Sequence, residues 1–319
     1  MDVSLFSKQE LNTSLLSSLS YIYSELNKSN SASTPFDSIV NSLSPNWVTF
    51  GLYNMLIDTV EDNSIEQSKL LLDDILRSFS LISPSILVAV LNSEYSLTKT
   101  ELITRELSKH SDKVIKCGEL DSANCVHAKT KIKETLDLIQ CGSPLLWSLL
   151  SDYVDEIVLT GSTNGHYVQS AASFNLFGLV IINGDNRQDV DFYLEHIIHE
   201  LAHIILYTVN AKESVVLNGE DERFQAPYRA DLRPMDGIYH AYFVMSYIIK
   251  FLRTLVVSRV LNETLVDKVE RRISITESQF VKTHDMMVWE AKFTPIGRKI
   301  FDDAYTETIH ALSNEGSYA

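Results

Sequence analysis

The sequence predicts a mainly α-helical α+β fold, with a helical N-terminal half packed on a C-terminal half that carries a small sheet and one long, histidine-bearing helix. Three observations predict it. Apolar residues recur three and four apart over most of residues 1–150. Short β-branched runs bounded by Gly, Ser and Asn break that period between 155 and 182. Helical period then returns from about 189 onward.

Taken in order, LNTSLLSSLSYIYSELNKS, SKLLLDDILRSFSLI and IKETLDLIQCGSPLLWSLLSDYV carry the amphipathic spacing of helices, punctuated by Pro35, Pro45, Pro84 and Pro144. LISPSILVAVLN fits helix or strand, because a short apolar run satisfies both periods. EIVLTG and LFGLVIING follow as strands. DNRQDVDFYLEHIIHELAHIILYTVN resumes the helical period, with Asp189 or Asp191 near its start, where a carboxylate complements the helix dipole. A polar loop over about 212–234 precedes two long helices within residues 236–291 and a last one within 296–312. The expected organisation is therefore residues 1–150, mostly helical, followed by residues 151–319.

Composition narrows the class of partner. The 319-residue chain is 45% apolar and carries 27 basic against 42 acidic side chains, a net charge of −15. That balance disfavours a phosphate backbone and leaves a basic peptide or a small ligand as partner, so no nucleic acid is expected. The opening residues lack a basic region and a small-residue cleavage site, and no uninterrupted apolar run approaches the roughly 20 residues of a membrane span. Three cysteines, Cys117, Cys125 and Cys141, argue for free thiols in a reducing, cytoplasmic setting; Cys117, Cys125 and His127 lack the paired spacing of a zinc site. Nothing in the sequence assigns an oligomeric state.

The chemistry concentrates in HIIHELAHIIL, residues 196–206. His199 and His203 are four apart, so on a helix both imidazoles reach one cation, while Glu200 sits about 100° round the helix, able to approach the open side of the ion. The apolar surround strengthens that reading, since two unpartnered imidazoles on a buried helix are costly and a metal satisfies them. His196 lies about two turns from His203, too far for all three helix histidines to share one ion. Downstream, His240 and Asp236 compete for the third ligand position, with His240 preferred. His240 makes a three-histidine site; Asp236 makes two histidines and a carboxylate, the facial set of non-haem Fe(II) oxygenases. The spacing HExxHxxGxxH fails, because Leu206 stands where that pattern needs Gly, and no downstream Glu matches the other common zinc-peptidase arrangement.

Three segments, VQSAASFNLFGLVII, HIIHELAHIIL and APYRADLRPMDGIYHAYF, fall in order between about 165 and 250. Together they resemble the HExxH-motif, iron- and 2-oxoglutarate-dependent peptide β-hydroxylases of ribosomal peptide (RiPP) biosynthesis. Tyr228 departs from the pattern, which carries Trp there in many relatives, and the N-terminal half matches no motif. The resemblance implies a zincin-like, metal-binding catalytic region over 151–319, an N-terminal region 1–150 available for peptide recognition, and a dioxygenase using Fe(II), 2-oxoglutarate and O2 on a precursor peptide. Glu200 is then not a peptidase base; it orients a ligand, a water or the substrate. A dicarboxylate cosubstrate also needs a cationic partner, for which the guanidinium groups of Arg229 and Arg233 are suited, with a preference for Arg233. Either arginine could instead pair with Asp231, Glu220 or Asp221. Ser170 and Ser173, before the strand, are candidate substrate contacts if an extended peptide adds to the sheet, or small residues chosen for packing. His166 and Tyr242 are weaker candidates, and His110, His127, His284 and His310 read as ordinary surface or core residues.

Two other classes remain. A zinc endopeptidase would use Glu200 to activate metal-bound water and need neither 2-oxoglutarate nor O2. A leader-peptide binding module would close its metal with four protein ligands and leave the peptide's mass unchanged.

Overall fold

The computed structural model describes residues 7–27, 34–39, 43–81, 86–91, 95–109, 118–162 and 168–313. Among these the chain forms eleven α-helices and six strands, and the mainly helical α+β class expected from the sequence is the one observed. The chain divides into two compact units that do not follow chain order. One comprises Ser7–Cys125 with Ser151–Asn186; the other contains Val126–Leu150 and Arg187–Ala319. Segments from both sides of residue 150 therefore contribute to each unit.

The first of these is built on a four-stranded sheet of β1 (Leu87–Val90), β2 (Glu156–Thr160), β3 (Ser170–Ala171) and β4 (Leu179–Asn183), in the spatial order β1-β2-β4-β3. β1, β2 and β4 are parallel, with Val88 opposite Ile157 and Ile157 opposite Val180, whereas β3 runs antiparallel to β4 with Ser170 opposite Ile182. Every residue of β2 and β4 is buried, which is why EIVLT and LVIIN read as unbroken runs instead of alternating ones. The ambiguous LISPSILVAVLN becomes β1 over Leu87–Val90; pairing with β2, a contact remote in sequence, decides what the period alone leaves open.

Helices α1 (Lys8–Asn27), α2 (Pro35–Ile39), α3 (Trp47–Glu61), α4 (Ile65–Ser78) and α5 (Leu97–Ser108) belong to the same unit. Two carboxylates at the start of β2 tie three of these elements down. Asp155 accepts from Lys8 Nζ at 3.0 Å and from the Trp47 backbone N–H at 3.1 Å. Glu156, buried, accepts from Trp47 Nε1 at 2.9 Å, Tyr95 Oη at 2.9 Å and Lys99 Nζ at 2.6 Å. A buried carboxylate is tolerated only when its oxygens are satisfied this fully. Close by, Gly178 holds φ at +103°, and a Cβ there would sit 2.2 Å from Asp155 Oδ2, so glycine is required on both counts.

The second unit is helical. It contains most of α6 (Ser122–Gly142) and α7 (Pro144–Tyr153), then α8 (Val190–Asn210), α9 (Met235–Val257), α10 (Glu263–Glu290) and α11 (Pro295–Ser313). α9 is its hub, packed against α8, α10 and α11. Its tyrosines bury their rings and hand their hydroxyls to neighbours: Tyr239 donates to the Gly297 carbonyl at 2.8 Å, and Tyr242 to the Phe301 carbonyl at 3.3 Å, with His284 Nδ1 also 3.1 Å away. α9 is also the one described helix long and apolar enough to cross a membrane, and 67% of that stretch is buried inside the fold. The polar loop before it contains a short hairpin, β5 (Phe224–Gln225) paired with β6 (Leu232–Arg233).

Packing at the start of α11 sets a stability expectation. A Cβ on Gly297 would lie 1.8 Å from the Val215 carbonyl oxygen, so Gly297→Ala forces backbone to move and should cost about 1–3 kcal/mol or more in urea unfolding. Gly237→Ala, whose nearest new neighbour is Pro234 Cγ at 3.8 Å, should be neutral or gain up to about 1 kcal/mol in the same measurement.

Candidate metal centre

α8 begins at Asp189, whose extended backbone and side chain cap the helix by accepting from the Val190 N–H at 2.9 Å. That carboxylate also meets Lys268 Nζ at 2.6 Å and Lys131 Nζ at 3.0 Å, and Lys268 above all holds it well below the usual carboxylate range. Two residues on, Arg272 of α10 clasps Asp191 at 2.7 Å and also pairs with Glu195. The helix is thus fixed at its N-terminal end by charge, and further along by the burial of Ile197, Ile198, Leu201, Ala202, Ile204 and Ile205.

Within that frame His199 and His203 turn their Nε2 atoms toward each other at 3.2 Å, with ring centroids 5.0 Å apart. Two imidazole nitrogens each about 2.1 Å from one ion lie roughly 3 Å from one another, so this spacing suits a shared metal. Glu200 is buried, and its Oε1 lies 4.0 Å from His199 Nε2. One donor atom from each of His199, Glu200 and His203 falls within 4.8 Å of the other two, and among the described residues this is the group that could hold a metal ion.

His240 arrives from α9 and stacks on His203, with centroids 5.7 Å apart and planes 25° from parallel. Its Nδ1 faces His203 Nδ1 at 3.5 Å, the nitrogen on the far side of the ring from the one that meets His199. Its Nε2 is 2.7 Å from Asn210 Nδ2 and 3.9 Å from Asp236 Oδ2. Of the two competitors for the third position, His240 therefore lies against His203, outside the His199/Glu200/His203 group, while Asp236, a turn earlier on α9 and 55% exposed, lies against the outer nitrogen of His240. Tyr207 borders both rings, 6.2 Å from His203 and 5.7 Å from His240. Tyr207 and Asn210 were not singled out by the motif, although their spacing of four and seven from His203 puts them on the same helix face.

Burial governs the charge of these histidines. Desolvation lowers His199 to about 4 and His203 well below the ordinary imidazole value; His240 is lowered for the same reason, partly opposed by Asp236. Neutral imidazoles with available lone pairs are what a metal requires. His196 is buried too, its ring tilted against Phe192 at 4.2 Å and its pKa lowered by burial to about 3, but it sits 6.3 Å ring to ring from His199 on the side away from His203.

The other sequence candidates fall as follows. Arg229 Nε reaches Asp231 Oδ1 at 2.9 Å and Arg233 Nε reaches Asp231 Oδ2 at 2.7 Å, so both arginines converge on one exposed carboxylate, held low chiefly by Arg229. Arg233 ends β6, one residue before the Pro234 that caps α9, which carries both Asp236 and His240. Ser170 is in edge strand β3. Ser173 caps a 3-10 turn over Phe174–Leu176: its hydroxyl donates to Glu106 and accepts from the Asn175 N–H at 3.2 Å. Tyr242 and His284 are engaged with each other in the α9, α10 and α11 packing, and His127 meets the Gln188 carbonyl at 2.8 Å. Cys125 and Cys141 are free thiols. Cys117, His110 and His166 lie outside the described residues.

No known protein-family model matches this chain, and no curated protein matches it either.

Two outcomes test the centre. His203→Ala should lower affinity for a divalent ion, read by chelator competition, by more than the roughly 100-fold that removal of an outer partner costs. Because His199 is neutral when folded and takes up protons more readily unfolded, stability should be level above about pH 7. It should fall as pH drops from about 6.5 toward 4, with a shallower fall in His199→Leu, measured by thermal melts of the metal-free protein.

Proposed function

We propose that this protein is a cytoplasmic, Fe(II)- and 2-oxoglutarate-dependent hydroxylase that acts on the β-carbon of a side chain in a ribosomally made precursor peptide. The observation that carries the reading is the His199/Glu200/His203 group, whose donor atoms lie close enough to hold one metal ion, with His240 of α9 stacked on His203. The three-segment resemblance supplies the chemistry.

In this reading His199 and His203 hold the iron through Nε2, and His240 completes the set, with Asp236 as the alternative. Bound there, the iron with 2-oxoglutarate and O2 supplies an oxidation that places one oxygen atom on the peptide and the other in succinate, with release of CO2. The protein's own part is positional. Burial keeps the imidazoles unprotonated near neutral pH, so no proton has to leave before a ligand bond forms. Glu200, buried beside His199, orients a ligand, a water or the peptide.

Arg233, with Arg229 as its neighbour, takes the distal carboxylate of 2-oxoglutarate. Asp231 shows that the two guanidinium groups can converge on one carboxylate; Arg229 and Asp231 are solvent-exposed, and Arg233 is half-buried.

A zinc endopeptidase is the second reading, favoured by the Glu200 carboxylate 4.0 Å from His199 Nε2, close enough to act on a metal-bound water. One experiment separates the two. The protein is loaded anaerobically with Fe(II), mixed with a precursor peptide encoded beside it, and exposed to O2 with and without 2-oxoglutarate. Intact-mass spectrometry should show a gain of one oxygen atom, with succinate released, only when both cosubstrates are present. Peptide fragments formed with Zn(II) alone would sink the hydroxylase and return Glu200 to the role of general base.

A further inference from the structure

Asn210 ends α8, two turns beyond His203, and its amide is buried against the outer nitrogen of His240. We infer that Asn210 is a positioning residue for the metal centre: by holding His240 Nε2 it turns the Nδ1 of that ring toward His203. The inference rests on His240 serving as a metal ligand and goes beyond it, in assigning to Asn210 the choice of which nitrogen faces inward.

Three features carry it. The Asn210 Nδ2 to His240 Nε2 distance of 2.7 Å is the shortest polar contact His240 makes, against 3.5 Å to His203 and 3.9 Å to Asp236. The other end of the amide, Oδ1, is buried without a hydrogen-bond partner, an arrangement a folded protein seldom keeps without use. Half a turn of the amide exchanges the two atoms, so Asn210 can donate to a bare Nε2 or accept from Nε2–H. The second state leaves the Nδ1 lone pair free on the inner side of the ring, as a ligand requires, and satisfies Oδ1. Metal-bound histidines commonly donate their remote N–H to such a partner, which fixes both tautomer and ring orientation. A carboxylate would also accept from Nε2–H, whereas an apolar side chain would not.

The test is metal affinity, not turnover. Co(II) serves as the probe, with its dissociation constant measured by chelator competition and its visible spectrum recorded on wild type, Asn210→Leu, Asn210→Asp and His240→Ala. Asn210→Leu should weaken Co(II) binding by about 10- to 100-fold and change the spectrum toward that of His240→Ala, while Asn210→Asp, which keeps an acceptor, should retain the wild-type spectrum and affinity within a few-fold. Thermal melts of the metal-free variants separate this from misfolding, since a purely structural amide would lower the melting temperature in both Asn210 variants and leave the spectrum alone. Unchanged Co(II) affinity in Asn210→Leu, with His240→Ala still impaired, would overturn the inference and leave His240 as ligand. Unchanged affinity in His240→Ala would overturn both.

Discussion

Keeping imidazoles uncharged inside an apolar helical packing is the constraint to which the rest of this molecule answers. Desolvation pushes His196, His199, His203 and His240 toward the neutral form, and neutral rings still need partners for their nitrogens. The fold meets that need with other polar groups brought in from a second helix. His203 turns one nitrogen to His199 and the other to His240, whose outer nitrogen goes to Asn210. For this chain to close, α8 and α9 must pack with a fixed register. The charged grip of Arg272 on Asp191 and Glu195 holds one end of α8, and the tyrosine hydroxyls of α9 hold that helix to α11. The chain of histidine contacts is in this sense a property of two helices and what they pack on, not of the HExxH segment by itself.

Much of this was readable from residue order. The period of DNRQDVDFYLEHIIHELAHIILYTVN places α8, and Asp189 caps it as its position suggests. EIVLTG and LFGLVIING become β2 and β4, and the long apolar stretches after 235 become α9 to α11. What was not readable depends on partners distant in the chain. β1 is a strand because β2 lies beside it, and its own four residues satisfy either period. The hairpin of β5 and β6 is too short to leave a pattern in a polar loop.

The site shows the same division. His199, Glu200 and His203 come from spacing on one helix, and spacing suffices to bring them together. His240 was a candidate because it opens a helix after the Arg-x-Asp-x-Arg segment, but the contact of its outer nitrogen with Asn210 has no motif to announce it. Arg229, Asp231 and Arg233 are spaced by two along the chain, which on an extended backbone puts all three side chains on one face, so their convergence follows from the residue order.

The hub helix has a consequence for how the protein is made. α9 combines membrane-span length and composition with a position deep in the unit, and two of the three helices that cover it, α10 and α11, follow it in the chain. A growing polypeptide therefore displays a 23-residue apolar helix before the segments that bury it exist. During that interval its fate is a competition between folding and capture by other apolar surfaces, including lipid and unfinished chains of its own kind. Slow synthesis through α10 would lengthen the interval, so the pace of translation, and not only the final packing, bears on the yield of native protein.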